Sequence, residues 1–159
     1  MTLRDYASVV YAHPEYLKTL ATSTPISSHV HVDVELRGCP IDKAQLLHVI
    51  SSYLLGRPPR LDSSPVCVEC KRRGTTCVLV AHGTPCLGPV THGGCGALCP
   101  AFDRGCFGCF GPADTVNSTA LVERLRREMP ADAVTRLFHT FSTDAPGFRE
   151  VHAHEEMEP

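Results

Sequence analysis

The chain has 159 residues, a length that fits about one domain. Its 15 Lys and Arg against 17 Asp and Glu give a formal charge of -2, which excludes the basic field needed to hold a nucleic-acid backbone or an anionic membrane surface. Apolar runs are far shorter than a membrane span, and Met1 to Leu20 carries charges and a proline where a signal peptide would be apolar. We therefore expect a cytoplasmic chain with no membrane span and no nucleic-acid partner.

Residues 1–60 are predicted to form part of an α/β domain. Apolar positions between Leu3 and Leu20 indicate one or two short helices, broken near Pro14. From Val30 to Leu36, apolar residues alternate with polar ones, which predicts a strand with one buried face.

A helix is predicted to follow this strand. Asp42 can cap a helix that runs to Gly56, since aspartate favours helix starts and glycine favours helix ends. A Gly-Cys-Pro loop joins the two elements. The loop places Cys39 at the carboxyl end of the strand, where α/β folds bind their ligands.

Residues 61–112 form a segment dominated by cysteine and glycine. Eight of the nine cysteines of the chain lie between Cys67 and Cys109. The segment contains too many glycines to form long helices or strands. Ordering its backbone costs about 1–2 kcal/mol per residue. Metal binding can contribute on the order of ten kcal/mol. We therefore predict that ligation holds this segment in shape and that it unfolds without metal.

The spacing of these cysteines predicts two sites of four thiolates each. A C-x2-C-x6-C pattern near the start of the segment is repeated in reverse near its end, and one further cysteine completes each group. The first group consists of Cys67, Cys70, Cys77 and Cys86. The second consists of Cys95, Cys99, Cys106 and Cys109.

The last part of the chain returns to a helical pattern. Ser118 is predicted to cap one helix, and Ala131 to Phe141 has the spacing of a second, so residues 113–143 are expected to form a helical tail. Residues 144–159, from Asp144 onward, are expected to be frayed and flexible.

Three chemistries are open to the eight clustered thiols. Thiolates bind zinc or iron–sulfur clusters, and cysteines of exported proteins form disulfides. Irregular spacing and many glycines favour iron–sulfur clusters, since glycine lets backbone N–H groups approach the sulfurs. A zinc-stabilised module with four-cysteine sites that binds another protein is the alternative, and a secreted disulfide scaffold is the third possibility.

Several motifs in the segment resemble nickel–iron hydrogenase small subunits. These are Pro85-Cys86-Leu87-Gly88-Pro89-Val90-Thr91, then Cys95, then Gly105-Cys106-Phe107-Gly108-Cys109-Phe110-Gly111-Pro112. The all-cysteine pattern that begins at Cys67 is similar to the cytoplasmic, NAD(P)-linked or sulfhydrogenase-type branch. That family is related to the 20 kDa subunit of NADH–ubiquinone oxidoreductase. The resemblance extends from about Tyr6 to Pro112.

The resemblance implies a flavodoxin-like domain followed by a loop-rich iron–sulfur domain and C-terminal helices. The first cysteine group would hold a distal [4Fe–4S] cluster and the second a medial [4Fe–4S] cluster. Cys39 matches the last ligand of a proximal cluster, whose other ligands lie upstream of anything in this chain. We interpret the chain as lacking the N-terminal half of its relatives; the alternative is that a separate chain supplies this half and completes the fold. A third cluster therefore forms only if another chain supplies the missing ligands.

The expected function is electron transfer within a hydrogenase-like oxidoreductase complex. The chain has no Gly-x-Gly-x-x-Gly motif or P-loop, and we assign no catalytic residue to it. The resemblance implies partner subunits that carry the nickel–iron centre, the flavin and NAD(P) site, and ferredoxin-like clusters.

Overall fold

The structure is a computed structural model, and it describes residues 3–18 and 24–153. The described chain consists of short helices joined by loops. Its α-helices are α1 (Leu3–Val10), α2 (Lys43–Leu54), α3 (Val66–Arg73), α4 (Val78–Ala81), α5 (Ser118–Arg126), α6 (Ala131–Phe138) and α7 (Pro146–Ala153). Single turns of 3-10 helix occur at Pro14–Tyr16, Ile26–Ser28 and Pro100–Phe102. Two compact units are present, residues 1–33 and residues 34–159.

The first unit contains α1 and the turns that follow it. The predicted break near Pro14 is confirmed, because α1 ends at Val10 and a separate 3-10 turn begins at Pro14. Proline suits the start of a turn because its missing N–H would have no partner there. The end of the predicted helical region, at Leu20, lies outside the described residues.

The predicted strand from Val30 to Leu36 is wrong. Within residues 3–18 and 24–153 no β-strand forms, and only isolated bridges occur, such as the one between Gly38 and Ile41. An alternating pattern creates an apolar face, but a strand also needs a neighbour to complete its hydrogen bonds. The described chain supplies no such neighbour. The α/β, flavodoxin-like fragment is therefore wrong as a fold class, and so is the location of Cys39 at a strand end.

Helix α2 confirms the capping prediction. The Asp42 carboxylate accepts a hydrogen bond from the Gln45 N–H at 2.9 Å, which satisfies one of the free donors of the first turn. The helix ends at Leu54, two residues before Gly56. No residue of α2 is buried, although the helix contains several large apolar side chains.

The three C-terminal helices pack on one another and on the cysteine-rich segment. Asn117, one residue before the predicted cap Ser118, accepts the Ala120 N–H at 3.0 Å. Helix α6 ends at Phe138, and α7 lies where fraying was expected, with Phe148 completely buried. The cysteine-rich segment and the C-terminal helices share one hydrophobic core. Its residues are Val66, Val78, Leu79, Cys86, Leu87, Val90, Ala97, Cys106, Leu121, Val122, Leu125, Val134, Phe138, Phe148 and Val151.

Candidate metal centre

Helix α3 carries the first two cysteines of the segment. Cys67 and Cys70 are three residues apart, so their side chains share one helix face. The helix ends at Gly74, which has a left-handed conformation with a φ of 72°. That turn brings Cys77 back to the start of α4, where it is exposed.

The thiols of the first group lie close enough to interact electrostatically. Burial raises the pKa of the Cys67 thiol to about 11, and the nearby Cys86, Cys70 and Cys77 thiols raise it further. Burial also raises the pKa of Cys70, again with contributions from Cys86 and Cys77. Several thiols gathered in a buried place are difficult to ionise, because each thiolate would repel the others. A bound metal centre with positive charge would offset the negative charge of the thiolates.

Cys86 lies at the centre of the arrangement. Its sulfur is buried and accepts hydrogen bonds from the Gly88 N–H at 3.4 Å and from the Cys106 N–H at 3.2 Å. A Cβ atom added at Gly88 would lie 3.3 Å from the Cys86 sulfur and 3.5 Å from the Cys67 sulfur. The backbone at Gly88 therefore covers two sulfurs directly, an approach that a larger residue would hinder.

The second group is also connected through its thiols. Burial raises the pKa of the Cys106 thiol to about 12, and Cys86 and Cys95 contribute to the shift. Burial raises the pKa of Cys109, with contributions from Cys95 and Cys99. Interactions also cross between the two predicted groups. The Cys95 thiol contributes to the raised pKa of Cys70, and the Cys106 N–H donates to the Cys86 sulfur at 3.2 Å.

Cys39 lies beside the second group through its backbone and not through its thiol. Its thiol is exposed, and its backbone lies near enough to the Cys109 thiol to lower the pKa of that thiol against the larger effect of burial. The loop before it packs on an aromatic ring, because a Cβ at Gly38 would lie 2.7 Å from the Cζ atom of Phe110.

The donor chemistry fits a thiolate-bound metal group. All nine cysteines are free, and two backbone N–H groups donate hydrogen bonds to the Cys86 sulfur. N–H···S bonds of this kind are a feature of iron–sulfur sites. Across residues 3–18 and 24–153, no three His, Cys, Asp or Glu side chains are grouped as ligands of a single metal ion.

Glu69, an acidic residue at the edge of both groups, is a further candidate for a functional role that the cysteine pattern did not predict. Its carboxylate accepts the Gly94 N–H at 2.8 Å and the Ala97 N–H at 3.2 Å, and it lies 3.9 Å from the Cys95 sulfur. One signal was available in the sequence. A carboxylate inside a C-x2-C motif adds negative charge beside thiolates, so it needs a specific reason to be there.

The described helices include none that is both long and apolar enough to cross a lipid bilayer. No family model matches the chain.

Seven curated proteins are similar to this chain, among them the following three. The delta subunit of sulfhydrogenase 2 from Pyrococcus furiosus is 38% identical over 133 residues, which is 84% of this chain and 56% of that protein. The vhu G subunit of the F420-non-reducing hydrogenase from Methanocaldococcus jannaschii is 32% identical over 117 residues, covering 63% of this chain and 38% of that protein. The iron-sulfur G subunit of the F420-non-reducing hydrogenase from Archaeoglobus profundus is 32% identical over 127 residues, covering 62% and 38%.

The matched region thus spans about half the length of the delta subunit and less of the two G subunits. Over this region, the chain is homologous to these delta and G subunits of hydrogenases.

Proposed function

We propose that this chain is an electron-transfer subunit of a hydrogenase-like oxidoreductase and relays electrons through two [4Fe–4S] clusters. The ligands of the distal cluster are Cys67, Cys70, Cys77 and Cys86. The ligands of the medial cluster are Cys95, Cys99, Cys106 and Cys109. The observation that supports the proposal is the close packing of cysteines around the buried Cys86 sulfur, which accepts the Cys106 N–H at 3.2 Å, in a chain similar to hydrogenase subunits.

Iron–sulfur clusters, when bound, supply reversible one-electron chemistry. The protein buries one ligand of each proposed cluster, Cys86 of the first set and Cys106 of the second. Cys86 is 6% exposed, and two N–H groups donate hydrogen bonds to its sulfur. Burial together with hydrogen bonds to the ligand sulfurs is the means by which a protein adjusts the potential of such a group.

The hydrogen bond from Cys106 to Cys86 gives the two sites a direct connection. The donor belongs to the second ligand group and the acceptor to the first, and the N···S distance is 3.2 Å. This contact supports a relay because it brings ligands of the two sites within one hydrogen bond. Electrons can then pass between neighbouring sites without leaving the protein.

The proposed partners follow from the relatives. Their names describe hydrogenase subunits, so a large subunit with the nickel–iron centre, a flavin- and NAD(P)-binding subunit and ferredoxin-like subunits are proposed to act with this chain. A proximal cluster at Cys39 is proposed only where another chain supplies the remaining ligands.

Metal analysis and a ligand substitution test the proposal. Protein purified without oxygen should contain about eight iron atoms and about eight inorganic sulfides per chain, as two [4Fe–4S] clusters require. Cys86→Ala should lower both contents by about half, because it removes a ligand from only one group. Cys39→Ala is the matched control and should leave both contents unchanged.

Two results would contradict the proposal. Stoichiometric zinc without inorganic sulfide would identify a zinc-stabilised module instead. Loss of all the iron, or of none, in the Cys86→Ala protein would show that the two ligand groups are assigned incorrectly.

A further inference from the structure

Glu69 joins α3 to the loop that carries Cys95. One carboxylate oxygen accepts the Gly94 N–H at 2.8 Å, and the other accepts the Ala97 N–H at 3.2 Å. The two donors flank Cys95 on both sides. A half-buried carboxylate that accepts two backbone N–H groups fixes the position of the loop between them.

Close packing reinforces this contact. The Gly93 N–H donates to the Ser64 carbonyl at 2.8 Å, and a Cβ at Gly93 would lie 2.7 Å from that oxygen and 3.2 Å from the Glu69 Cδ atom. The loop therefore lies directly against α3 and the residues before it, with no room for a side chain between them.

The charge of Glu69 acts on both thiol groups. Its carboxylate lies 3.9 Å from the Cys95 sulfur, and its negative charge also reaches the Cys70 sulfur. The two N–H donors require two acceptor oxygens, which a glutamate supplies and a glutamine does not. The negative charge that results lies beside the thiols and opposes the addition of further negative charge there.

We propose that Glu69 is a positioning residue that holds Cys95 against α3 and lowers the reduction potential of the group bound by the second thiol set; this rests on the proposed function. Reduction adds negative charge to an iron–sulfur cluster. A fixed carboxylate next to one of its ligands makes that addition less favourable. The cluster nearest Glu69 then releases its electron more readily.

The substitution Glu69→Gln in the full chain separates charge from shape. The amide has nearly the same size and can still accept one N–H, but it carries no charge. A redox titration followed by electron paramagnetic resonance should show a positive shift in midpoint potential, larger for the cluster of the second set, whose Cys95 sulfur lies 3.9 Å from the carboxylate, than for the cluster of the first set. The shift should persist when Glu69→Gln is combined with Cys86→Ala, because that background retains only the cluster of the second set. Glu123→Gln, an exposed change on α5, is the matched control and should shift neither potential.

Unchanged potentials in Glu69→Gln protein that holds its full iron content would overturn the inference. If the Gln variant loses iron, Glu69→Asp decides the matter because it keeps the charge. That variant must retain its iron and a potential close to the original value, and its failure to do so would also overturn the inference. Zinc without sulfide in the unsubstituted protein would refute the proposed function instead, and this is established before any variant is measured.

Discussion

Gly105 lies where two segments of the cysteine-rich region approach most closely. A Cβ atom at this position would lie 1.8 Å from the Pro85 carbonyl oxygen and 3.3 Å from the Cys86 Cα atom. The neighbouring backbone is paired here, because the Leu87 N–H donates to the Cys106 carbonyl at 2.9 Å. The substitution Gly105→Ala therefore introduces one methyl group at the contact between the two proposed ligand sets.

The expected cost follows from these distances. The Pro85 carbonyl would have to move by about 1.2 Å before the 1.8 Å contact reached 3.0 Å. The obstacle is backbone, and the fixed ring of proline limits how the chain can adjust. Overpacking a filled core costs about 1–3 kcal/mol, so we expect a loss of about 3 kcal/mol in the free energy of unfolding. The same displacement would lengthen the 3.2 Å hydrogen bond from Cys106 to the Cys86 sulfur and lower the iron content.

Urea denaturation, followed by circular dichroism without oxygen, measures this loss. Gly74→Ala is the matched control, because nothing lies within 4 Å of its added Cβ and only its left-handed φ of 72° makes alanine unfavourable. That conformation costs about 1 kcal/mol. Gly105→Ala should therefore be the more destabilising change by about 2 kcal/mol. Equal stabilities and full iron content in both variants would refute the close approach at Gly105.

Two further predictions concern the helical tail and the segment before α3. Phe148→Ala should lower the free energy of unfolding by about 3–5 kcal/mol in urea denaturation, because the ring is fully buried. Phe141→Ala, at a ring that is 48% exposed, should cost much less, and equal losses would contradict this reasoning. Hydrogen bonds from Ser64 and then Arg72 hold the pKa of the Asp62 carboxyl well below its ordinary value of 3.8. The ionised Asp62 carboxylate should therefore stabilise the folded chain at pH values above 3.8. This stabilisation should disappear as the pH falls through the lowered pKa of the folded chain. A nuclear magnetic resonance titration should show the pKa rising in Arg72→Ala, and an ordinary pKa in the unsubstituted protein would contradict the prediction.

The predictions that succeeded depend on neighbouring residues. The Asp42 cap was predictable because its hydrogen-bond partner, the Gln45 N–H, is only three residues away. The predicted strand from Val30 to Leu36 failed because alternation describes one segment alone, whereas a strand requires a second segment to pair with it. Phe148 was missed for a related reason. Its burial depends on the other C-terminal helices and on the core of the cysteine-rich segment.

The sequence by itself determined the spacing of the eight clustered cysteines, their glycine-rich surroundings and the relationship to hydrogenase small subunits. These properties are present in the order of the residues before the chain folds. Only the tertiary structure decided that Glu69 reaches a loop 25 positions away and that Gly105 lies against Pro85. Contacts of this kind depend on how distant segments pack, and packing is set by the shape and burial of the whole core.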